Sequence, residues 1–202
     1  GSCPALAGSG ESIDIGGVAR TLDVYLPSDP SNAGLVFLWH GAGDNPANFA
    51  AAFRATEMAS LYDVIVVVPT ASGDFLIEWP IVRGEGPGEE LAFFDAVVAC
   101  ASTVHDFDAG RIYTTGFSAG ALWSSRLIVE RGDVLASAAL FSGGADASTF
   151  AYETPALPVP ALGIHGGSSD TVLTVRFDQA MESFMSALVE DGSYGVLCDH
   201  GQ

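Results

Sequence analysis

Arg111-Ile-Tyr-Thr-Thr-Gly116-Phe-Ser118-Ala-Gly120-Ala-Leu-Trp123 is the stretch on which the reading of the chain turns. Its first part, Arg111–Thr115, alternates apolar with polar residues and predicts a strand. Ala119–Arg131, closed by Gly132, carries a helical pattern with Trp123 on the core side. Between the two lies Gly116-Phe117-Ser118-Ala119-Gly120, a G-x-S-x-G pentapeptide. A serine at so tight a strand-to-helix turn must accept strained backbone angles, and side chains two positions away on either side would collide with its surroundings. Glycine at both positions removes the collision. The turn then sets the Ser118 hydroxyl at the positive end of a helix, where developing negative charge is stabilised. Taken alone the pentapeptide is a weak signal in a chain rich in Gly and Ser. Flanked by a strand and a helix, it reads as a nucleophile elbow.

Outward from this turn, strand and helix patterns alternate, the mark of an α/β domain with a largely parallel sheet. Ser12–Ile15 and Val18–Leu26, separated by Gly16-Gly17, predict an antiparallel hairpin at the start of the chain. Leu35–Trp39 and Val64–Val68 are continuous apolar runs, expected of strands covered on both faces. Leu135–Phe141, Ala161–His165 and Tyr194–Cys198 complete a set of about eight strands by the same period and composition criteria. Predicted helices cover Pro46–Leu61, after the cap residue Asn45, then Glu89–Val104 and Thr174–Glu190. The expected architecture is an α/β domain. It has a mostly parallel sheet with an N-terminal antiparallel hairpin, helices on both faces, no large lid, and one domain over 1–202.

Composition narrows the function classes. The chain has 202 residues, 49% of them apolar and 16% charged, enough for a sizeable core. Against 25 Asp and Glu stand seven Arg and no Lys, a formal charge of −18. Nucleic-acid binding needs basic clusters, and there are none. Anionic membrane surfaces would repel the chain. No apolar run approaches the roughly 18 residues that span a bilayer. The balance suits a neutral substrate and a monomer in solution.

A serine nucleophile implies further parts. One oxyanion donor should be the backbone N–H of Ala119. The second should come from the loop His40-Gly41-Ala42-Gly43-Asp44-Asn45, where Ala42 is the candidate and His40 a brace. The orienting acid should follow a later strand. His165-Gly-Gly-Ser-Ser-Asp170-Thr-Val fits, with Asp170 as the acid or, in the plainer reading, a helix N-cap. His165, at a strand end, reads as structural, and His105, at a helix end, as a surface residue. The stretch 142–160, with Pro155, Pro158 and Pro160, is too short and stiff for a helical lid, so the site should be open. Phe75 and Trp79 could form an apolar wall for an acyl or aromatic group, or pack on the sheet edge. No metal-ligand spacing is present, and no cofactor or metal is expected.

These residues resemble the α/β-hydrolase superfamily, and within it the polyhydroxybutyrate depolymerase and feruloyl/acetylxylan esterase branch. The likeness runs from the hairpin through His40-Gly-Ala-Gly43, Gly84–Val98 and Asp108-Ala-Gly-Arg111-Ile-Tyr to His165-Gly-x-x-x-Asp170. It implies a secreted serine esterase with a Ser-Asp-His triad, acting on polyesters of hydroxy acids or on hydroxycinnamoyl or acetyl esters. In that setting Cys3, Cys100 and Cys198 allow one disulfide and one free thiol; three reduced thiols are the alternative. The departure is at the end, Cys198-Asp-His200-Gly-Gln202. His200 follows Asp170 and is the formal base, but it stands earlier after the strand than the resemblance implies. Either a short loop lets His200 serve, or the sequence stops before the base, and the second reading is favoured. A catalytically impaired, hydrolase-like binding domain is the rival from another class. A serine peptidase ranks below both.

Overall fold

The run of apolar residues at 34–39 becomes a strand buried along its whole length, and the sheet is built around it. In the computed structural model, which describes residues 3–72, 79, 88–147 and 149–201, β1 (Glu11–Ile15) and β2 (Val18–Tyr25) form the expected antiparallel hairpin. Its two-residue turn has both glycines at positive φ, 62° at Gly16 and 93° at Gly17, the conformation such a turn requires. Then come β3 (Gly34–Trp39), α1 (Pro46–Ala52), α2 (Ala55–Tyr62), β4 (Val64–Pro69) and α3 (Gly88–Val104). β5 (Ile112–Phe117), α4 (Ala119–Glu130), β6 (Ser137–Phe141) and β7 (Ala161–His165) follow. A 3₁₀ turn at Gly167–Ser169 leads into a small ribbon, β8 (Thr171–Val172) and β9 (Val175–Arg176), then α5 (Phe177–Glu190) and β10 (Gly195–Asp199).

The main sheet has eight strands in the order β1-β2-β4-β3-β5-β6-β7-β10, parallel from β4 to β10. β3 and β4 are buried at every position, because their two faces feed two different cores. Leu35, Phe37, Trp39, Ile65 and Val67 join Phe94, Trp123 and Phe184 from the α3, α4 and α5 side. Val36, Leu38, Val64, Val66 and Val68 pack with Phe49, Ala55 and Ala59 from α1 and α2. Side chains alternate across a strand, so one continuous apolar run supplies both cores.

Two helix boundaries differ from the expectation. The single helix over 46–61 is two, broken where Arg54 takes left-handed angles, φ 54° and ψ 48°. The bend lets Phe53 pack at a tilt on Phe49, ring centroids 4.4 Å apart, and reach Phe141 at 5.6 Å. Asn45 does cap α1, its side chain accepting from the Asn48 N–H. The helix expected from Thr174 begins at Phe177, because 171–176 pair as the β8–β9 ribbon around Leu173, another left-handed residue.

Cys3 and Cys100 form a disulfide across 97 residues, tying the N-terminal segment to α3, while Cys198 is free and exposed on β10. His105 is not a surface residue: half-buried, it donates from Nε2 to the Leu6 carbonyl oxygen at 2.9 Å, pinning the same segment. A feature the sequence does not announce is the buried pair Arg20–Glu90, 2.7 Å apart, with Ser72 Oγ donating to Glu90. Burial raises the Glu90 carboxyl above its ordinary range, against the pull of Arg20.

Candidate active site

Ser118 sits at the junction of β5 and α4 with φ 53° and ψ −119°, an angle pair side-chain-bearing residues rarely adopt. Three bonds hold it there. Its N–H donates to the Phe141 carbonyl oxygen at 2.9 Å, and its own carbonyl accepts from the Ala121 and Leu122 N–H groups, each at 2.9 Å. The flanking glycines do what the pattern demanded. A Cβ on Gly116 would stand 2.5 Å from the Gly120 carbonyl, and one on Gly120 would stand 2.5 Å from the Trp39 carbonyl carbon and 2.6 Å from the His40 oxygen. The ends of β3 and β5 and the first turn of α4 therefore touch backbone to backbone. Ser118 itself remains half-buried.

The loop after β3 reaches the serine. A Cβ on Gly41 would lie 3.6 Å from Ser118 Cβ and 3.1 Å from the Phe117 ring, so the loop passes directly over the turn. Ala42, the next residue, is exposed in that loop. Ala119 is the first residue of α4, where backbone amides have no partner within their own helix.

Asp170 ends the 3₁₀ turn that follows β7. One carboxylate oxygen, Oδ2, accepts from Ser142 Oγ at 2.7 Å and from the Gly166 N–H at 2.9 Å. The plainer reading of Asp170 as an N-cap does not hold: α5 starts at Phe177 after Arg176, and Asp170 instead offers its carbonyl to the Phe177 N–H. His165 is buried, as a structural residue should be, its Nδ1 accepting from the Gly167 N–H at 3.1 Å.

His200 is exposed one residue past β10, and its N–H donates to the His165 carbonyl at 3.1 Å. The tail runs beside the loop that carries Asp170, since a Cβ on Gly167 would lie 3.2 Å from Asp199 Oδ1 and 3.8 Å from Gly201 Cα. Among the described residues, no hydrogen bond or ion pair joins the His200 imidazole to Asp170 or Ser118. Trp79 is not a wall of an open site. It is 1% exposed, its indole N–H donates to the His40 carbonyl at 2.9 Å, and its ring meets Trp39 edge-on at 5.1 Å. A large aromatic ring gains more by burial against other rings than by facing solvent. Phe75 lies outside the described residues. Ser142 was not singled out from the sequence; a lone serine after a strand carries no motif.

Residues 21–184 match the family model described as Esterase PHB depolymerase, which is most of the chain. The chain belongs to the Esterase PHB depolymerase family. Among family-related proteins, poly(3-hydroxyalkanoate) depolymerase C of Paucimonas lemoignei is 29% identical over 79% of this chain and 46% of its own. The bifunctional acetylxylan esterase/xylanase XynS20E of Neocallimastix patriciarum is 24% identical over 77% of this chain and 22% of its own. This chain thus spans less than half the length of either relative. Native pOPH superposes with a TM-score of 0.73 at 19% identity, covering 99% of this chain and 83% of that one. Esterase PE8 superposes at 0.65 with 21% identity, over 91% and 90%. The fold is that of the α/β-hydrolase esterases.

Proposed function

We propose that this member of the family is a serine carboxylic-ester hydrolase. The observation that carries the reading is Ser118, held at φ 53° between two obligatory glycines, with the β3 loop against it. In this scheme the Ser118 hydroxyl attacks an ester carbonyl as its proton passes to a histidine. Asp170 holds the imidazole tautomer and stabilises the imidazolium. The Ala42 and Ala119 N–H groups receive the oxyanion, each contributing about 3 kcal/mol to lowering the barrier. His200, on the tail beside the acid's loop, is this chain's candidate base.

The substrates that fit are neutral esters: polyesters of hydroxy acids, as the name of the Paucimonas relative suggests, or acetyl esters, as the name of the Neocallimastix relative suggests, with hydroxycinnamoyl esters implied only by the resemblance of the sequence. A net charge of −18 turns away polyanions and leaves such substrates unaffected. The Cys3–Cys100 disulfide supports a destination outside the reducing cytosol, and among the described residues no helix is long and apolar enough to cross a membrane.

A fluorophosphonate probe should label Ser118, and Ser118→Ala should lower p-nitrophenyl acetate turnover at least about a hundredfold. An unlabelled protein whose turnover survives that substitution is not a serine esterase. His200→Ala tests the base: a rate equal to wild type places the base elsewhere. The rival reading, an impaired domain that binds esters without cleaving them, draws on the absence of an imidazole bond to Asp170 among the described residues. Retention on poly(3-hydroxybutyrate) granules or acetylxylan without released acid would favour it.

A further inference from the structure

The end of β6 touches both halves of the proposed site. The Phe141 carbonyl accepts the Ser118 N–H, and one residue on, Ser142 donates its hydroxyl to Asp170 Oδ2 at 2.7 Å while its N–H goes to the Ile164 carbonyl on β7 at 2.8 Å. Strand order explains the arrangement: β6 lies between β5, which delivers the serine, and β7, which delivers the acid. We propose that Ser142 is the positioning residue for Asp170, fixing the carboxylate so that its other oxygen is presented to the imidazole; this rests on the esterase reading above.

Three observations carry the assignment. First, among the described residues both hydrogen bonds to the Asp170 carboxylate, from Ser142 Oγ and Gly166 N–H, fall on the same oxygen. A carboxylate gripped through one oxygen cannot swing about its terminal torsion, and Oδ1 remains available as the acceptor an imidazolium N–H needs. Second, Ser142 has φ 54°, left-handed angles that a serine adopts at a penalty. Third, the chain beyond it is wedged tightly. A Cβ on Gly143 would stand 2.7 Å from Ala121 Cβ on α4, and one on Gly144 would stand 2.6 Å from the Met181 nitrogen on α5. The Gly144 N–H also donates to Ser125 Oγ at 3.0 Å. The hydroxyl is therefore mounted on backbone that two helices hold in place.

The experiment is a double-mutant cycle on this chain with p-nitrophenyl acetate, using Ser142→Gly, Asp170→Asn and the pair. Glycine removes the hydroxyl and suits φ 54°, so the fold should be kept, and the melting temperature checks this. Ser142→Gly should lower kcat about tenfold, the rate equivalent of one hydrogen bond to a charged group, and leave KM within about twofold. In the Asp170→Asn background the same change should have almost no further effect, because the group it orients is gone. A merely structural serine would show its full effect in both backgrounds. Either that additive result, or an unchanged kcat in Ser142→Gly where Asp170→Asn is impaired, overturns the proposal. An Asp170→Asn protein as fast as wild type refutes the acid's role in the esterase reading and, with it, the role given to Ser142.

Discussion

Gly120 shows how little freedom a single position has in this turn. Its Cα faces the Trp39 and His40 carbonyls so closely that any Cβ would overlap backbone atoms of β3, which no rotamer change can relieve. Gly120→Ala should therefore push α4 away from β3, costing about 3 kcal/mol and lowering the melting temperature by roughly 6–12 °C. It should also blunt labelling of Ser118 by a fluorophosphonate, since the serine's angles depend on that contact. A variant that melts and labels like wild type would show that the close approach is not needed. At this scale the sequence was most informative, because a pair of glycines around a serine leaves a direct imprint of backbone crowding. It was least informative where the partner is remote in sequence. Nothing in the neighbourhood of Ser142 announces that its hydroxyl meets Asp170, and nothing near Trp79 says whether the ring faces solvent or Trp39.

Elements were legible where their hydrophobic period was long and unbroken. The two fully buried strands, β3 and β4, stand where their apolar runs place them, and α3 follows its stripe of Leu91, Phe94 and Ala101. The break between α1 and α2 left no such trace. Phe53-Arg54-Ala55 contains neither Gly nor Pro, and the left-handed angles at Arg54 are imposed by where Phe53 must pack, against Phe49 and Phe141. Tertiary contact overrode local preference, as it did at the ribbon that replaces the first turn expected of α5. The end of α2 offers a test of the same physics. Asp63, its C-cap, holds φ 54° and ψ 59° and contributes its backbone carbonyl to the Gly34 N–H, while its side chain is exposed. Glycine keeps that backbone bond and removes the Cβ penalty. Asp63→Gly should stabilise the fold by about 0.5–1 kcal/mol, a rise of roughly 1–4 °C in the melting temperature with p-nitrophenyl acetate turnover unchanged. A fall in melting temperature would mean that the aspartate side chain contributes more than its strained backbone takes away.

For the whole molecule, the alternation of strand and helix sufficed for the class of fold, because a parallel strand needs a crossover and this chain supplies helices where crossovers are required. Which cysteines would pair was another matter: the sequence left both a single bridge and three thiols open, since Cys3 and Cys100 stand 97 positions apart and the chain folds through half the sheet before the two meet. That separation sets what the bridge is worth. Closing a loop of that length in the unfolded chain removes conformational freedom equivalent to about 4.7 kcal/mol, so Cys3→Ser with Cys100→Ser should melt roughly 9–19 °C lower than wild type. The native state has other holds on the same segment. Leu6 is fully buried, its carbonyl accepts from His105, and the Gly8 carbonyl accepts from the Val24 N–H. The segment should therefore stay docked without the bridge, and turnover at 25 °C should be unchanged, because the bridge joins the N-terminal segment to α3, whereas Ser118 stands at the β5–α4 junction and Asp170 after β7. Cys198→Ser, which removes the exposed thiol alone, should leave the melting temperature within about 1 °C. A double variant that melts like wild type would show that the unfolded chain already keeps its first residues near α3. One that keeps its melting temperature but loses turnover would connect the N-terminal segment to the site.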